Sequence, residues 1–409
     1  LAKKEFNQMA IKYITDESFK ANAKDKVVLA RFDFNVPMDK KDSTKIADTT
    51  RIDEALQTIN AILECSPKKI VLMSHFGRPK GKVDMTYTLE PVAKYLAEKL
   101  NLEVLLTETA LDRGIKQMLA LQEPKIIMLQ NLRFHPEEEA NDREFAQKLA
   151  GYGDVFVFDA FGAAHRKHAS TYEVNAFFKN KAYGGLLLKR EIEALDRIVK
   201  DPVKPFIAVV GGAKVSDKIK IIETLLVSVD KLLIGGAMAY PFLKAQGYTV
   251  GNSLCSDEDV SLAKRILNTP SKGKIVLPTD HIVSSSLDGA PEEDNQTNIP
   301  DGKIGLDIGP STIVNFADYL RKAKTVLWNG PMGLFENPNF AKGTMSIAKN
   351  LADLKDAFTF VGGGDSVNAV KKSGLSDKMG HISTGGGASL EYIEEGTLPG
   401  IQALKFGID

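Results

Sequence analysis

Short apolar runs rich in Val, Ile, Leu and Phe recur along the chain. Between them lie longer stretches in which apolar residues return every three or four positions. The short runs predict strands at 27–31, 70–73, 126–129 and 155–158. A second series predicts strands at 206–210, 232–234, 275–277, 325–328, 358–361 and 381–383. The longer stretches predict helices. Ile52, Ala55, Leu56, Ile59 and Leu63 repeat at the spacing of one buried helical face over 49–63. Thr88 is placed to cap a helix over 89–100, with Pro91 tolerated in its first turn. Strands that alternate with helices in this way point to parallel sheets covered on both faces. Ligands of such sheets gather beyond the carboxyl ends of the strands.

The two series are comparable in length, and 409 residues exceed one ordinary core. Between the series, Leu187, Leu188, Ile192, Leu195 and Ile198 form a helical stripe that ends at Asp201-Pro202. This stretch, 184–200, reads as a hinge helix joining two α/β domains, at 1–183 and 201–395. A plain surface helix is the alternative. The expected fold class is α/β, with two doubly wound, Rossmann-like parallel sheets. A formal net charge of +0 argues against broad electrostatic attraction to nucleic acid or acidic membranes. No apolar run is long enough to span a bilayer. Cys65 and Cys255 are far apart and suggest neither a disulfide framework nor a zinc site. The expectation is a cytoplasmic protein with no nucleic-acid or membrane partner.

The first series ends in cations. Arg31-Phe32-Asp33-Phe34-Asn35-Val36-Pro37 follows the first run. Asp33 and Asn35 could accept hydrogen bonds from a substrate hydroxyl, or form an Asx turn before Pro37. Ser74-His75-Phe76-Gly77-Arg78-Pro79 closes the second run, Arg133 follows the third, and Arg166 follows the fourth. Arg51, at the start of the next helix, can join them. One arginine after a strand is usually a solvated residue. The same placement after successive strands predicts a receptor for a small, multiply anionic ligand, because guanidinium matches carboxylate and phosphate oxygens with paired hydrogen bonds. His135, His168, His281 and His381 are read as structural.

The second series ends in glycines. Gly211-Gly212-Ala213-Lys214-Val215-Ser216-Asp217-Lys218 follows one run, and Gly235-Gly236 another. Asn329-Gly330-Pro331 and Gly362-Gly363-Gly364-Asp365-Ser366 follow two more, and Gly385-Gly386-Gly387 precedes the last helix of the series. Glycine lets main-chain N–H groups approach a phosphate chain. Lys214 and Lys218 share a face if a helix has begun there. Asp365, after its glycine run, can hold a hard cation such as Mg²⁺. Glu336 could bind ribose hydroxyls or simply sit at a helix N-terminus. Neither GxxxxGK[ST] nor GxGxxG is present.

With these residues assembled, the chain closely resembles the phosphoglycerate kinases. The matching segments are VLARFDFNVP, VLMSHFGRPKG, LEPVAKYL, NLRFHPEEE, DAFGAAHR, GGAKVSDKI, LIGGAMA, LDIGP, WNGPMGLFE, VGGGDS and STGGGASLE. They run in the family's order from about Val27 to Glu391. The resemblance implies a C-terminal tail, 396–409, that returns to the first domain. It assigns 3-phosphoglycerate to Asp33, Asn35, Arg51, His75, Arg78, Arg133 and Arg166, with Phe76 and Gly77 in the same turn. It assigns ADP or ATP to Gly212, Ala213, Lys214, Lys218, Gly235, Gly236, Gly305, Leu306, Asn329, Glu336, Gly363, Gly364, Asp365 and Ser366, with Mg²⁺ at Asp365. Departures are few. Ser366 stands where threonine is usual, Ala163 where threonine or serine is usual, Phe158 where a polar residue is usual, and Phe76 where leucine is usual.

The implied reaction is reversible phosphoryl transfer between 1,3-bisphosphoglycerate and ADP, by a monomer that needs no macromolecular partner. A carboxylate nucleophile is already ionised, so no general base is required. Arg51, Lys214 and Lys218 are the expected catalytic cations. A nicotinamide-dependent dehydrogenase is a second reading, weakened by the missing GxGxxG. A non-catalytic scaffold is a third, weakened by the intact charges.

Overall fold

The computed structural model describes residues 10–42 and 44–407. The first nine positions of the expected 1–183 domain, Ser43, and the last two positions of the 396–409 tail lie outside the described residues. The chain divides into two compact units. Unit 1 is Leu1–Glu193 with Thr397–Asp409, and unit 2 is Ala194–Gly396.

Unit 1 is built on β1 (Val27–Phe32), β2 (Lys69–Met73), β3 (Val104–Leu106), β4 (Ile126–Met128), β5 (Val155–Asp159) and β6 (Ala182–Gly184). They form one parallel sheet in the order β3-β4-β2-β1-β5-β6. Every residue of β1, β2, β4 and β5 is buried, which explains why these strands read as nearly continuous apolar runs. The chain leaves β1 outward through β2 and returns to β5 on β1's other side. The order therefore reverses between β1 and β5, and a crevice opens beyond their carboxyl ends. The helix Thr50–Glu64 packs Ile52, Ala55, Thr58, Ile59 and Ile62 inward. Leu56 and Leu63, expected on its buried face, are half-buried at the margin of that stripe.

Unit 2 repeats the plan with β7 (Phe206–Val210), β8 (Lys231–Ile234), β9 (Ile275–Val276), β13 (Thr325–Asn329), β14 (Phe358–Gly362) and β15 (His381–Ile382). Its parallel order is β15-β14-β13-β7-β8-β9, with the reversal between β7 and β13. A second, antiparallel sheet joins β10 (His281–Ser284), β11 (Glu292–Asp294) and β12 (Ile304–Ile308) in the order β11-β10-β12.

The helix Leu186–Val199 buries Leu187, Leu188, Ile192, Leu195 and Ile198. Its opening is held from unit 1. Asp159 Oδ1 accepts from the Leu188 N–H at 2.8 Å, and Thr58 Oγ1 from that of Leu186 at 3.0 Å. Burial pushes the Asp159 carboxyl up to about 6. The last helix, Pro399–Phe406, packs within unit 1. Its Gly400 N–H donates to the Ala164 carbonyl at 2.8 Å. A Cβ there would come within 3.2 Å of both that oxygen and the Phe158 ring, so Phe158 forms part of the helix's seat.

One local expectation changes. The helix Glu90–Leu100 is preceded by Leu89 rather than capped by Thr88. Thr88 Oγ1 instead accepts from the Glu90 N–H at 3.3 Å and the Gln130 side chain at 3.0 Å. The helix at the VGGGDS turn begins at Gly364, two residues before Ser366, so Asp365 lies inside its first turn.

Candidate active site

In unit 1, β1, β2, β4 and β5 deliver charged side chains to one edge. Past β1, Asp33 Oδ1 accepts from the Asn35 N–H at 3.1 Å, so the Asx turn forms. The same carboxylate holds Arg51, whose Nη1 lies 3.2 Å from Asp33 Oδ2 and 2.8 Å from the Asn35 carbonyl. Asn35 Oδ1 accepts from the Gly77 N–H at 2.9 Å and so joins the ends of β1 and β2. Arg133 is almost wholly buried after β4 and donates from Nη1 to the Gly77 carbonyl at 2.7 Å. Its Nε lies 3.2 Å from Glu139 Oε1 without hydrogen-bond alignment, so that contact is an ion pair only. Phe76 is buried, and its N–H donates to Asn131 Oδ1 at 3.1 Å. Past β5, Arg166 Nε donates to His165 Nε2 at 3.2 Å.

The cations crowd one another. Burial holds His75 well below its ordinary value, and Arg31, Arg133, Arg166 and Arg51 push in the same direction. His75 is therefore a neutral imidazole at physiological pH, and its 3.9 Å approach to Asp33 is not an ion pair. Burial lowers Arg133 to about 10, with Arg166 as the next cause. His168, read as structural, lies beside the same group. Burial, then Arg133, Arg31 and Arg166, push it down to about 3. Arg78 is exposed, and no hydrogen bond or ion pair reaches it among the described residues.

Arg31 was not singled out by the sequence reading. It lies on β1 rather than after it, is buried, and donates to His75 Nδ1 at 3.1 Å. A lone arginine inside an otherwise apolar strand was the available signal. A guanidinium is buried there only where acceptors await it.

In unit 2 the ends of β7, β13 and β14 are stitched together by side chains. Lys218 Nζ donates to the Gly211 carbonyl at 2.7 Å, to Asn329 Oδ1 at 2.6 Å and to the Asn329 carbonyl at 3.3 Å. Asn329 Nδ2 donates to the Gly362 carbonyl at 2.8 Å. Ser366 is buried, and its hydroxyl oxygen accepts from the Gly330 N–H at 2.5 Å. Gly330 has φ +98°, and a Cβ there would lie 2.6 Å from Lys218 Nζ. Only glycine admits the ammonium so close to the turn.

The glycine turns differ in what they leave open. The N–H groups of Gly211, Gly235 and Gly236 already donate to the Asn329, Val210 and Met332 carbonyls. The N–H groups of Gly364, Asp365 and Ser366 open a helix of 10 residues and have no partner within it. A helix N-terminus of this kind can offer such donors to an anion, and the exposed Asp365 carboxylate lies beside them. Lys214 and Lys218 do not share a helical face. The α-helix begins only at Ile219, after a 3-10 turn Ser216–Lys218, and Lys214 precedes both, exposed. Gly212 and Ala213 lie on the same turn. Glu336 is exposed just before the short turn Pro338–Phe340. Gly305 and Leu306 lie on β12 of the antiparallel sheet, where Gly305 packs against Tyr240.

Comparison with known proteins agrees with this arrangement. The family model described as phosphoglycerate kinase matches residues 19–396. A phosphoglycerate kinase of Pelodictyon phaeoclathratiforme is 48% identical over 387 residues, 93% of this chain and 96% of that protein. One of Clostridium novyi is 48% identical over 389 residues, with the same coverage of 93% and 96%. The solved phosphoglycerate kinase of Coxiella burnetii superposes with a TM-score of 0.85 at 40% identity, covering 94% of this chain and 97% of its own. That of Pyrococcus horikoshii does so with 0.80 at 32%, with coverage of 94% and 97%. Two doubly wound sheets, one edged with cations and one with glycine turns, thus belong to a chain of the phosphoglycerate kinase family, phosphotransferases that move a phosphoryl group reversibly between 1,3-bisphosphoglycerate and ADP.

Proposed function

We propose that the basic edge of unit 1 binds 3-phosphoglycerate and that the glycine-rich edge of unit 2 binds ADP or ATP. One observation carries the reading of unit 1: Arg31 donates to His75 Nδ1 at 3.1 Å, while Arg51 and Arg133 hold the adjoining Asn35 and Gly77 carbonyls at 2.8 and 2.7 Å, so several guanidiniums crowd a neutral imidazole. Like charges held this close raise the energy of the empty site, and an anion with several oxygens relieves it. Asp33, Asn35, Arg51, His75, Arg133 and Arg166 contact the substrate, with Phe76 and Gly77 shaping the turn and Arg78 reaching in from the surface.

Nucleotide phosphates lie against Gly212, Ala213, Lys214, Lys218, Gly363 and the first-turn N–H groups of Gly364, Asp365 and Ser366, with Gly235, Gly236 and Asn329 forming the floor. Ser366 acts through Gly330 rather than by its own hydroxyl. Gly305, Leu306 and Glu336 take the nucleoside. Among the described residues no cluster of His, Cys, Asp or Glu could hold a metal ion alone. That fits Mg²⁺, which keeps waters and shares its coordination between one or two carboxylates and substrate phosphates. Asp365 is that carboxylate, and the ion would neutralise phosphate charge.

Arg51, Lys214 and Lys218 offset charge on the transferring group. Such a positioned cation contributes about a hundredfold or more in rate. Transfer needs reacting atoms about 3–3.5 Å apart. With the two ligands on separate units, the units must approach when both are bound, with Leu186–Val199 as the hinge. The test is Arg51→Ala in a coupled assay from 3-phosphoglycerate and ATP. We expect kcat to fall about a hundredfold or more with the KM for ATP nearly unchanged; a near-parental kcat would exclude the role.

A further inference from the structure

Behind the basic edge runs a chain of buried polar contacts that none of these roles uses. Glu138 is fully buried, and both its oxygens are engaged. Oε1 accepts from the Ser170 hydroxyl at 2.6 Å, and Oε2 from the Ser170 N–H at 3.0 Å. Ser170 Oγ in turn accepts from Arg31 Nε at 2.8 Å. Arg31 also donates to the Phe32 carbonyl and, from Nη2, to His75 Nδ1 at 3.1 Å.

The direction of every bond in this chain is forced. Arginine only donates, so Ser170 must accept from it. The single hydroxyl proton is then committed to Glu138, which as a carboxylate only accepts. At the other end, His75 Nδ1 must be the bare nitrogen. The neutral ring therefore carries its proton on Nε2, the atom on the side of Asp33, 3.9 Å from its Oδ1. An imidazole without such a partner exchanges between two tautomers, and only one of them presents a donor at Nε2.

We propose that Glu138, Ser170 and Arg31 are positioning residues that hold His75 as the Nε2–H tautomer, so that it offers a hydrogen-bond donor to the anionic substrate. This rests on the reading of His75 as a contact of 3-phosphoglycerate. Glu138 fixes the serine, the serine fixes the plane of the guanidinium, and the guanidinium fixes the imidazole. A neutral amide at position 138 would not suffice. Glutamine has one acceptor oxygen for the two N–H and O–H donors of Ser170, and its amide would face one of them.

The experiment reads the tautomer directly, in long-range ¹H–¹⁵N spectra of the full chain at neutral pH, beside steady-state kinetics. The parent is expected to show His75 protonated at Nε2. Ser170→Ala and Glu138→Gln should give a mixture of tautomers. They should raise the KM for 3-phosphoglycerate about tenfold, the loss of one charge-assisted hydrogen bond, and leave the KM for ATP within about twofold. Ser170→Thr, which keeps the hydroxyl, should restore both readouts. A parent His75 protonated at Nδ1, or a tautomer unmoved in Ser170→Ala, overturns the proposal even if Glu138→Gln fails to fold. A tautomer that shifts while the KM for 3-phosphoglycerate stays put supports the tautomer assignment and overturns instead the reading of His75 as a substrate contact.

Discussion

Lys218 makes a pH profile calculable. Its acceptors, the Gly211 carbonyl and the two oxygens of Asn329, are neutral dipoles. Burial outweighs them and lowers the ammonium from 10.5 to about 8, with Asp365 and Asp217 opposing. About nine-tenths of the free enzyme then carries the charge at pH 7, about one-tenth at pH 9 and about one-hundredth at pH 10. If the ammonium holds nucleotide phosphate, kcat/KM for ATP should fall about tenfold from its plateau by pH 9 and about a hundredfold by pH 10. The limb belongs in kcat/KM, which reports the free enzyme. In kcat it should appear at higher pH, because bound phosphates favour the charged form. Unfolding through this group cannot mimic the effect. The folded value lies below the unfolded one, so between about pH 8 and 10.5 the unfolded chain holds more protons, and the contribution of Lys218 to stability rises with pH. The assay is initial-rate kinetics from pH 6.5 to 10 on the parent and on Lys218→Gln. The variant should be slower throughout and lack the limb. A flat parental profile, or the same limb in Lys218→Gln, would refute the reasoning.

Arg133→Ala and Arg166→Ala should each weaken 3-phosphoglycerate about tenfold or more and leave ADP binding almost unchanged; an equal loss for both ligands in calorimetric titrations would show that the receptors are wrongly divided. Asp365→Ala should raise the Mg²⁺ concentration needed for half-maximal activity without altering 3-phosphoglycerate affinity, and an unchanged Mg²⁺ dependence would make the residue structural. In small-angle scattering, the radius of gyration should fall most with both substrates bound; a constant radius in an active enzyme would end the hinge proposal.

The parallel sheets were legible because their strands are buried on both faces. Each strand named from the sequence corresponds to one in the structure, and most of their carboxyl ends carry cations or glycines. The rest was illegible for identifiable reasons. β3 and β6 are three residues each, too short to show a period. β11 is Glu-Glu-Asp, held by its pairing with β10 rather than by any apolar face. Lys214 and Lys218 fell off one face because a 3-10 turn intervenes, and spacing alone does not reveal where a helix begins. Arg31 and Glu138 were hidden for a deeper reason. Their partners, Ser170 and His75, are 139 and 44 residues from Arg31 in sequence, and only the fold brings them together.

The seat of Gly400 against Ala164 and Phe158 also bears on how the chain is made. Unit 1 is made of two stretches, Leu1–Glu193 and Thr397–Asp409, so unit 2 is in effect an insertion of about 200 residues between them. A ribosome adds about 5–20 residues per second, so the first sheet waits about 10–40 s for the piece that completes it. Throughout that interval the surface of Phe158 destined for Gly400 is uncovered, whereas unit 2 emerges unbroken. Until Pro399–Phe406 has been made, the second unit can be whole while the first still lacks a helix, so the nascent first half is the part left open to wrong partners.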